Sequence, residues 1–497
     1  FQVVLIQTWA IILASSGFAA DTGAVTPADL AEELNTHESV SPTGDETCWK
    51  TLAPALQILS VPPDTDDVLS QSSIWPGMPD WQAVSDWAAS SSTLGPAIEE
   101  AAKQPSFGLK YGRESVDQAG RDRGLFVDLG EPDQRLVLPT FPYLKVMRQM
   151  SVWTAAEAWR LAESGKAEAG LTLLLDELMV FRRLADRKFM EEKEEAIVLI
   201  SEGLGVFRSV MYRYLDDISP AYLKRLAYTE IATLRPGRMS LFMPENDRIL
   251  CEKLLTNAFD ESLGTADPQE FAAVFTEVQT VDRPLQRFGA RNRWKYLQEH
   301  NRHDSLKNAK VRLDLIFDDW WCRWRSDDTT DLGSLILDRQ SQFELLNVGR
   351  FAAIDSVIHD MKNLFDVRER LLVDVNATAT AAGLAAYKRD RGVYPKEMRI
   401  AFGITIDKQF VPDEYASITE DYRPWFVYRY ISERRELDVG TTRVWLQPGM
   451  GLLYSTGRDG LDSLGKLHVD EQSRGDLIYW PPPQELVREQ HKQSSSK

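Results

Sequence analysis

The chain is short of cysteine, histidine and positive charge, and beyond its first twenty residues it has no long apolar run. Cys48, Cys251 and Cys322 are its three cysteines, far apart and in no CxxC metal or redox spacing, so no disulfide framework is implied. One bridge with a cysteine left over stays open in an oxidising compartment; the expectation is three buried thiols. A net charge of -18 argues against a nucleic-acid partner, because neutralising phosphates takes clustered Lys and Arg, and against anionic membrane surfaces; solubility accounts for it. No G-x-S-x-G elbow, P-loop or HExxH motif is present, and the glycines after residue 439 open no helix as a dinucleotide fingerprint would.

What is present is ordinary globular material. With 43% hydrophobic and 27% charged residues, the 497-residue chain can bury enough apolar surface to fold. A single core stops growing at roughly 250–300 residues, so two domains or three are expected. Residues 1–20, FQVVLIQTWAIILASSGFAA, are apolar and uncharged and end in small residues before Asp21. They read as the hydrophobic region and cleavage end of a secretory signal peptide, with a retained membrane anchor as the competing reading. No later segment is apolar for long enough to span a bilayer, which places the rest of the chain on one side, exported to the periplasm or cell envelope. Residues 21–50 lack a hydrophobic period and read as a flexible lead-in.

From 51 to 365 the grammar is helical, with a break near 140–146 marked by Pro139 and Pro142. VWTAAEAWRLAESG sets Val152, Ala155, Ala156 and Trp159 near one face and stops at Gly165; Leu171, Leu174, Leu175, Leu178 and Phe181 then follow at i, i+3, i+4 spacing. Together they form a helical hairpin that resembles one tetratricopeptide-type repeat, although no second copy follows at a fixed period. Further helices are expected at 192–216, 219–234 and 247–259, the second opening on Ser219-Pro220, a cap followed by proline at the first helical position.

After Arg368 the pattern changes. LLVDVNATATAAGLAAYKRDRGVYP is a helix rich in small residues that ends at Gly392, and the β-like runs FVYRYI, TRVWLQ, GLLYST and DLIYW follow Pro424. The fold class is therefore a mainly α N-terminal helical domain plus a C-terminal α+β domain, a helix followed by an antiparallel sheet, over 366–484, with a polar tail at 485–497.

Two motifs in this last domain resemble the major pseudopilins of type II secretion. One is the helix exit with Ala385, Ala386, Tyr387, Lys388, Asp390, Gly392, Tyr394 and Pro395; the other is YSTGRDGLDSLG followed by GDLIYW. The resemblance covers only this tail; the remainder is similar to helical exported proteins of bacteria. It implies a globular pseudopilin head, protein partners in a secretion or pilus-like assembly, and a calcium-binding loop. Asp459 and Asp476 stand at the matching positions, while Asp462 and Asp470 are neighbours of suitable chemistry in a glycine-rich segment, hard oxygen ligands of the kind Ca²⁺ takes. Lys466, His468 and Arg474 intrude, and an Asp-Gly turn with Asp459 bonding its own backbone accounts for the same residues. The pseudopilin anchor helix carries glutamate at its fifth position; here that residue is Leu5, and Pro27 stops any such helix early.

Two other constellations read as packing. His300 and His303 share a helical face beside Asp304, but a metal site needs further ligands, and Arg291, Arg293, Lys295 and Arg302 make a solvated face. FDDWWCRWR sets Asp318 and Asp319 among Trp320, Trp321 and Trp324, the ingredients of a sugar cleft. Adjacent helical residues point about 100° apart, however, so the two carboxylates cannot flank one glycosidic bond. The expectation is a non-enzymatic envelope protein with protein partners, no nucleic acid and no membrane span beyond 1–20; the alternative is a carbohydrate-active hydrolase with the tail as an accessory domain.

Overall fold

The structure, a computed structural model, describes residues 24–38, 47–65, 69–132, 136–235, 241, 243–260, 265–266, 303–325, 339–415, 425–439, 442–457, 460–466 and 475–495. The expected signal or anchor at 1–20 lies outside these residues. The chain is mainly helical, with a small antiparallel sheet near its C-terminus.

Chain order is α1 (Pro27–Glu38), α2 (Cys48–Ile58), α3 (Trp81–Ser90), α4 (Leu94–Ala102), α5 (Gln118–Arg123), α6 (Pro142–Glu163), α7 (Ala167–Leu184), α8 (Met190–Arg213), α9 (Pro220–Arg225) and α10 (Asn246–Ala258). A two-residue ribbon, β1 (Phe259–Asp260) and β2 (Thr265–Ala266), precedes α11 (Leu306–Arg325), α12 (Ala352–Val357) and the long α13 (Lys362–Arg391). The strands β3 (Val427–Tyr430), β4 (Arg435–Val439), β5 (Thr442–Leu446), β6 (Gly451–Ser455) and β7 (Leu477–Trp480) follow, and α14 (Pro483–Ser495) closes the chain.

Local chemistry sets the boundaries. Thr47 caps α2 through the Lys50 amide (3.3 Å), Asp117 caps α5 through the Gly120 amide (2.8 Å), and Ser219 caps α9 through the Tyr222 amide (3.3 Å) with Pro220 at the first position. The segment 219–234 is α-helical only to Arg225 and then widens to a π turn at 226–230 and tightens to a 3₁₀ turn at 231–234. Between α6 and α7 the chain reverses at Gly165, in the left-handed conformation that a side chain disfavours. The expected hairpin is there, α6 against α7, with Gly170 so close to α6 that an added Cβ would lie 2.6 Å from the Ala158 carbonyl oxygen.

Around this hairpin a single apolar core extends from Leu30 in α1 to Trp480 in β7. It does not stop at the expected boundary between 365 and 366. Arg208 on α8 donates to Thr378 on α13 (2.5 Å), Lys224 pairs with Asp390 (2.5 Å), and Arg389 reaches Asp216 (3.0 Å), so α13 belongs to the helical body as much as to the sheet. Strands are ordered β3-β6-β7, all antiparallel, with Val427 opposite Tyr454 and Leu453 opposite Trp480. Because strand side chains alternate between faces, β6 turns Leu453 to the main core and Leu452 and Tyr454 to a second, smaller one. That second core adds Ile431 just after β3, Leu437, Val444 and Leu446 from the β4–β5 hairpin, Ile478 from β7 and Leu486 from α14. The sheet is thus the middle of three layers.

Three expectations are corrected here. Residues 27–38 of the supposed flexible lead-in form α1, which buries Leu30 and Leu34 and lies beside α10, where the Val25 backbone exchanges bonds with the Asn257 side chain (2.7 and 2.8 Å). The polar tail is α14, which buries Leu486 and sets the Glu485 carboxylate 3.7 Å from Arg213 on α8. Cys48 and Cys251 are buried free thiols as expected, but Cys322 is exposed. No described helix is long and apolar enough to cross a membrane.

Gly383 tests the packing of α13. An added Cβ would sit 2.5 Å from the Thr405 carbonyl oxygen and 2.6 Å from Ile406 Cγ1, so Gly383→Ala should cost about 1–3 kcal/mol in urea unfolding. Helix propensity alone predicts a gain of up to about 1 kcal/mol, and a gain would contradict the observed contact.

Candidate functional site

The loop between β6 and β7 carries the residues singled out for calcium. Asp459 and Asp470 lie outside the described residues, while Asp462 and Asp476 each accept backbone amides of the 463–465 turn. Asp476 is buried, and its two oxygens accept the Gly465 amide (2.6 Å) and the Ser463 amide (3.3 Å), which ties the loop back on itself. Asp462 accepts the Tyr454 hydroxyl (2.7 Å), the Leu464 amide (2.9 Å) and the Arg429 guanidinium (2.6 Å). Partial burial pushes its acidity the other way, yet those donors hold the carboxyl below the usual range. Among the described residues no three His, Cys, Asp or Glu side chains gather as a metal site would require.

The two motifs of the tail do meet. Trp480 at the end of β7 donates its indole N–H to the Tyr394 hydroxyl (3.0 Å), and Tyr428 of β3 donates to the Pro395 carbonyl (2.6 Å). Burial pushes the Tyr394 phenol up to about 12. Tyr212 of α8 packs edge-on against Trp480, with ring centroids 5.3 Å apart, so the same contact reaches the helical body.

Beside it lies a charged cluster that the sequence reading did not select. Asp374, in the middle of α13 and buried, accepts the Tyr479 hydroxyl (2.9 Å) and the Arg370 guanidinium (2.9 Å) on one carboxylate oxygen. Arg208 of α8 stacks on the Tyr479 ring at 5.1 Å. Burial drives the Tyr479 phenol well above its ordinary range and pulls Arg208 down, with Asp374 opposing the latter as counter-charge. A signal was present: a carboxylate inside LLVDVNATATAAGLAA, where every neighbour is apolar or small, needs a cation from another element.

The remaining candidates resolve into packing. His300 lies outside the described residues. His303 is wedged between the Phe259 and Phe351 rings (centroids 5.2 and 6.4 Å), with Nδ1 2.9 Å from the Asp304 carbonyl and Nε2 accepting the Ala353 amide (3.4 Å). Burial lowers its pKa and favours neutral imidazole, and Asp304 pairs with Arg350. Asp319 bonds Arg323 (2.9 Å) and the Gln342 amide (2.9 Å), whereas Asp318 faces solvent. Trp320 packs on Phe317 and Phe343, Trp324 donates to the Leu241 carbonyl (2.8 Å), and half-exposed Trp321 stacks under Arg325. A shallow cleft of about 430 Å³ lies nearby, walled by Val311, Leu315, Leu345 and Phe351.

No known family model matches the chain, and comparison with curated proteins and with solved structures likewise finds no match. The cluster at Asp374 is directly testable. Asp374→Ala removes the buried counter-charge of Arg208 and should cost about 3–5 kcal/mol in denaturant unfolding, against about 1.5–3 kcal/mol for Tyr479→Phe, which removes one charge-assisted bond. Equal, small losses would show that the cluster is not coupled.

Proposed function

We propose that this chain is a non-enzymatic, exported protein of the cell envelope, in which the helical body engages protein partners and the C-terminal unit acts as a pseudopilin-like head in a type II secretion or pilus-like assembly. The observation that carries this reading is the meeting of the two motifs: Tyr394 and Pro395 from the helix exit bond Trp480 and Tyr428 from the sheet. Residues that resemble a pseudopilin at opposite ends of 366–484 are in hydrogen-bond contact, within a core that the helical body shares. Further support comes from the acidic net charge, which suits a protein partner better than a nucleic acid.

Calcium belongs to the same proposal, through Asp459 and Asp476 as the resemblance assigns them. A hard cation there would take carboxylate and carbonyl oxygens of the loop and would release Asp476 from the Gly465 and Ser463 amides it now accepts. Binding to the folded state alone must raise stability, by about 2.7 kcal/mol when calcium is at 100 times its dissociation constant.

The full-length protein, unfolded thermally in calcium and in chelator, should show a higher midpoint with calcium. The increment should vanish in Asp459→Ala and Asp476→Asn; equal midpoints in the parent protein would reject the ion. The partner reading is tested by affinity purification of the full chain from envelope extract after crosslinking. Recovery of secretion-assembly subunits is expected, and their absence at the level of an unrelated exported control would contradict it.

A further inference from the structure

Asp176 and Glu177 are consecutive on α7 and face opposite surroundings. Glu177 is completely buried, and neither of its carboxyl oxygens receives a hydrogen bond. The polar group beside it is Thr154 on α6, whose hydroxyl proton is committed to the Met150 carbonyl (3.0 Å). An ionised carboxylate only accepts hydrogen bonds, so it finds no donor there; a protonated acid can donate to the Thr154 oxygen. Isolated burial of the charged form costs several kcal/mol, and the group avoids that cost by holding its proton. Asp176, half-buried on the next face, has its carboxyl raised by burial, with Glu99 of α4 and Glu230 of the π turn adding to the effect and Lys103 of α4 opposing it.

We propose that Glu177 is carried as the neutral acid in the folded chain and makes α7 a proton-dependent latch, which holds the α6–α7 hairpin most tightly in acid and loosens it as pH rises. The other charges around α7 are already engaged. Lys103 bonds Glu99 and Glu100 (both 3.2 Å), Glu230 bonds Arg225 (2.5 Å), Glu157 and Arg160 of α6 bond each other (2.6 Å), Arg182 bonds Asp186 (2.8 Å), and on α8 Glu192 bonds Arg187 (2.6 Å) while Lys193 donates to the Ala185 carbonyl. None of them supplies Glu177 with a counter-charge.

The direction of linkage follows. Burial raises the Asp176 carboxyl from 3.8 to about 6, with Glu99 adding to the effect, and burial raises Glu177 well above 4.5. Groups whose folded pKa exceeds the unfolded value bind more protons when folded. Their contribution is complete below the unfolded pKa and is lost as pH climbs through the folded one. For Asp176 that window runs from about pH 4 to 6, and for Glu177 it opens above pH 4.5 and closes at its raised folded value.

The test compares unfolding of the full chain between pH 5 and 9 for the parent protein, Glu177→Gln and Asp176→Asn. Relative to Glu177→Gln, the parent's folding constant should fall about tenfold per pH unit between the unfolded and folded pKa values of Glu177, so the variant gains in relative stability as pH rises. Asp176→Asn should show the same change confined to the lower window. Parallel profiles for parent and Glu177→Gln would overturn the proposal. A second measurement needs no comparison of stabilities: the infrared carbonyl band of a protonated carboxylic acid should be present in the parent protein at neutral pH. Absence of that band would overturn the assignment even if Glu177→Gln failed to fold.

Discussion

The organisation of this protein depends on one helix being buried on nearly all sides. From Leu371 to Ala386 α13 is almost continuously enclosed, with α8 and α9 on one flank, the sheet on another and the 398–411 segment along a third. Small residues make this enclosure feasible, because Ala, Gly and Thr let neighbouring backbones approach closely. Gly383 is one such approach: an added Cβ there would lie 2.5 Å from the Thr405 carbonyl oxygen. A helix so enclosed cannot tolerate a lone charge, and the carboxylate of Asp374 is accommodated only because Arg370, Tyr479 and Arg208 converge on it from its own helix, β7 and α8. That convergence fixes the sheet against the body in one orientation.

The layered arrangement follows from the same fact. β6 is buried on both faces, so its side chains read as one apolar run, GLLYS, instead of an alternating one. One face meets α13; the other meets the β4–β5 hairpin and α14, which extends the second core through Leu486. A chain segment that looks like a charged tail thereby becomes a cover for the sheet, while Arg213 and Arg488, both stacked on Trp75 and both near Glu485, tie that cover to the body.

Much of this was legible from residues alone, where local signals were strong. The α6–α7 hairpin, its reversal at Gly165, the cap at Ser219 and the helix exit at Gly392 each combine periodicity with a stop or start residue, and each is found. Strand β4 was missed because RELDV interleaves charges with its two apolar residues, and only pairing with β5 shows that Leu437 and Val439 line one face. α1 was missed because PADLAEELNTHE offers two buried leucines, too few for a period, and depends on α10 for its partner. The domain boundary after 365 was drawn where composition changes, but composition does not report that one helix serves two layers. For the candidate site, the contact between the two tail motifs could be anticipated from their order, whereas Asp374 and Glu177 are defined by what faces them from elsewhere in the chain.

The central claim is that the helical body and the sheet share α13 and cannot be separated. Expression of residues 366–484 alone, followed by urea titration with far-ultraviolet circular dichroism, addresses it most directly. Stripped of α8, α9 and Arg208, the segment is predicted to show no cooperative transition. A sigmoidal transition of native-like steepness from the isolated segment would contradict the account.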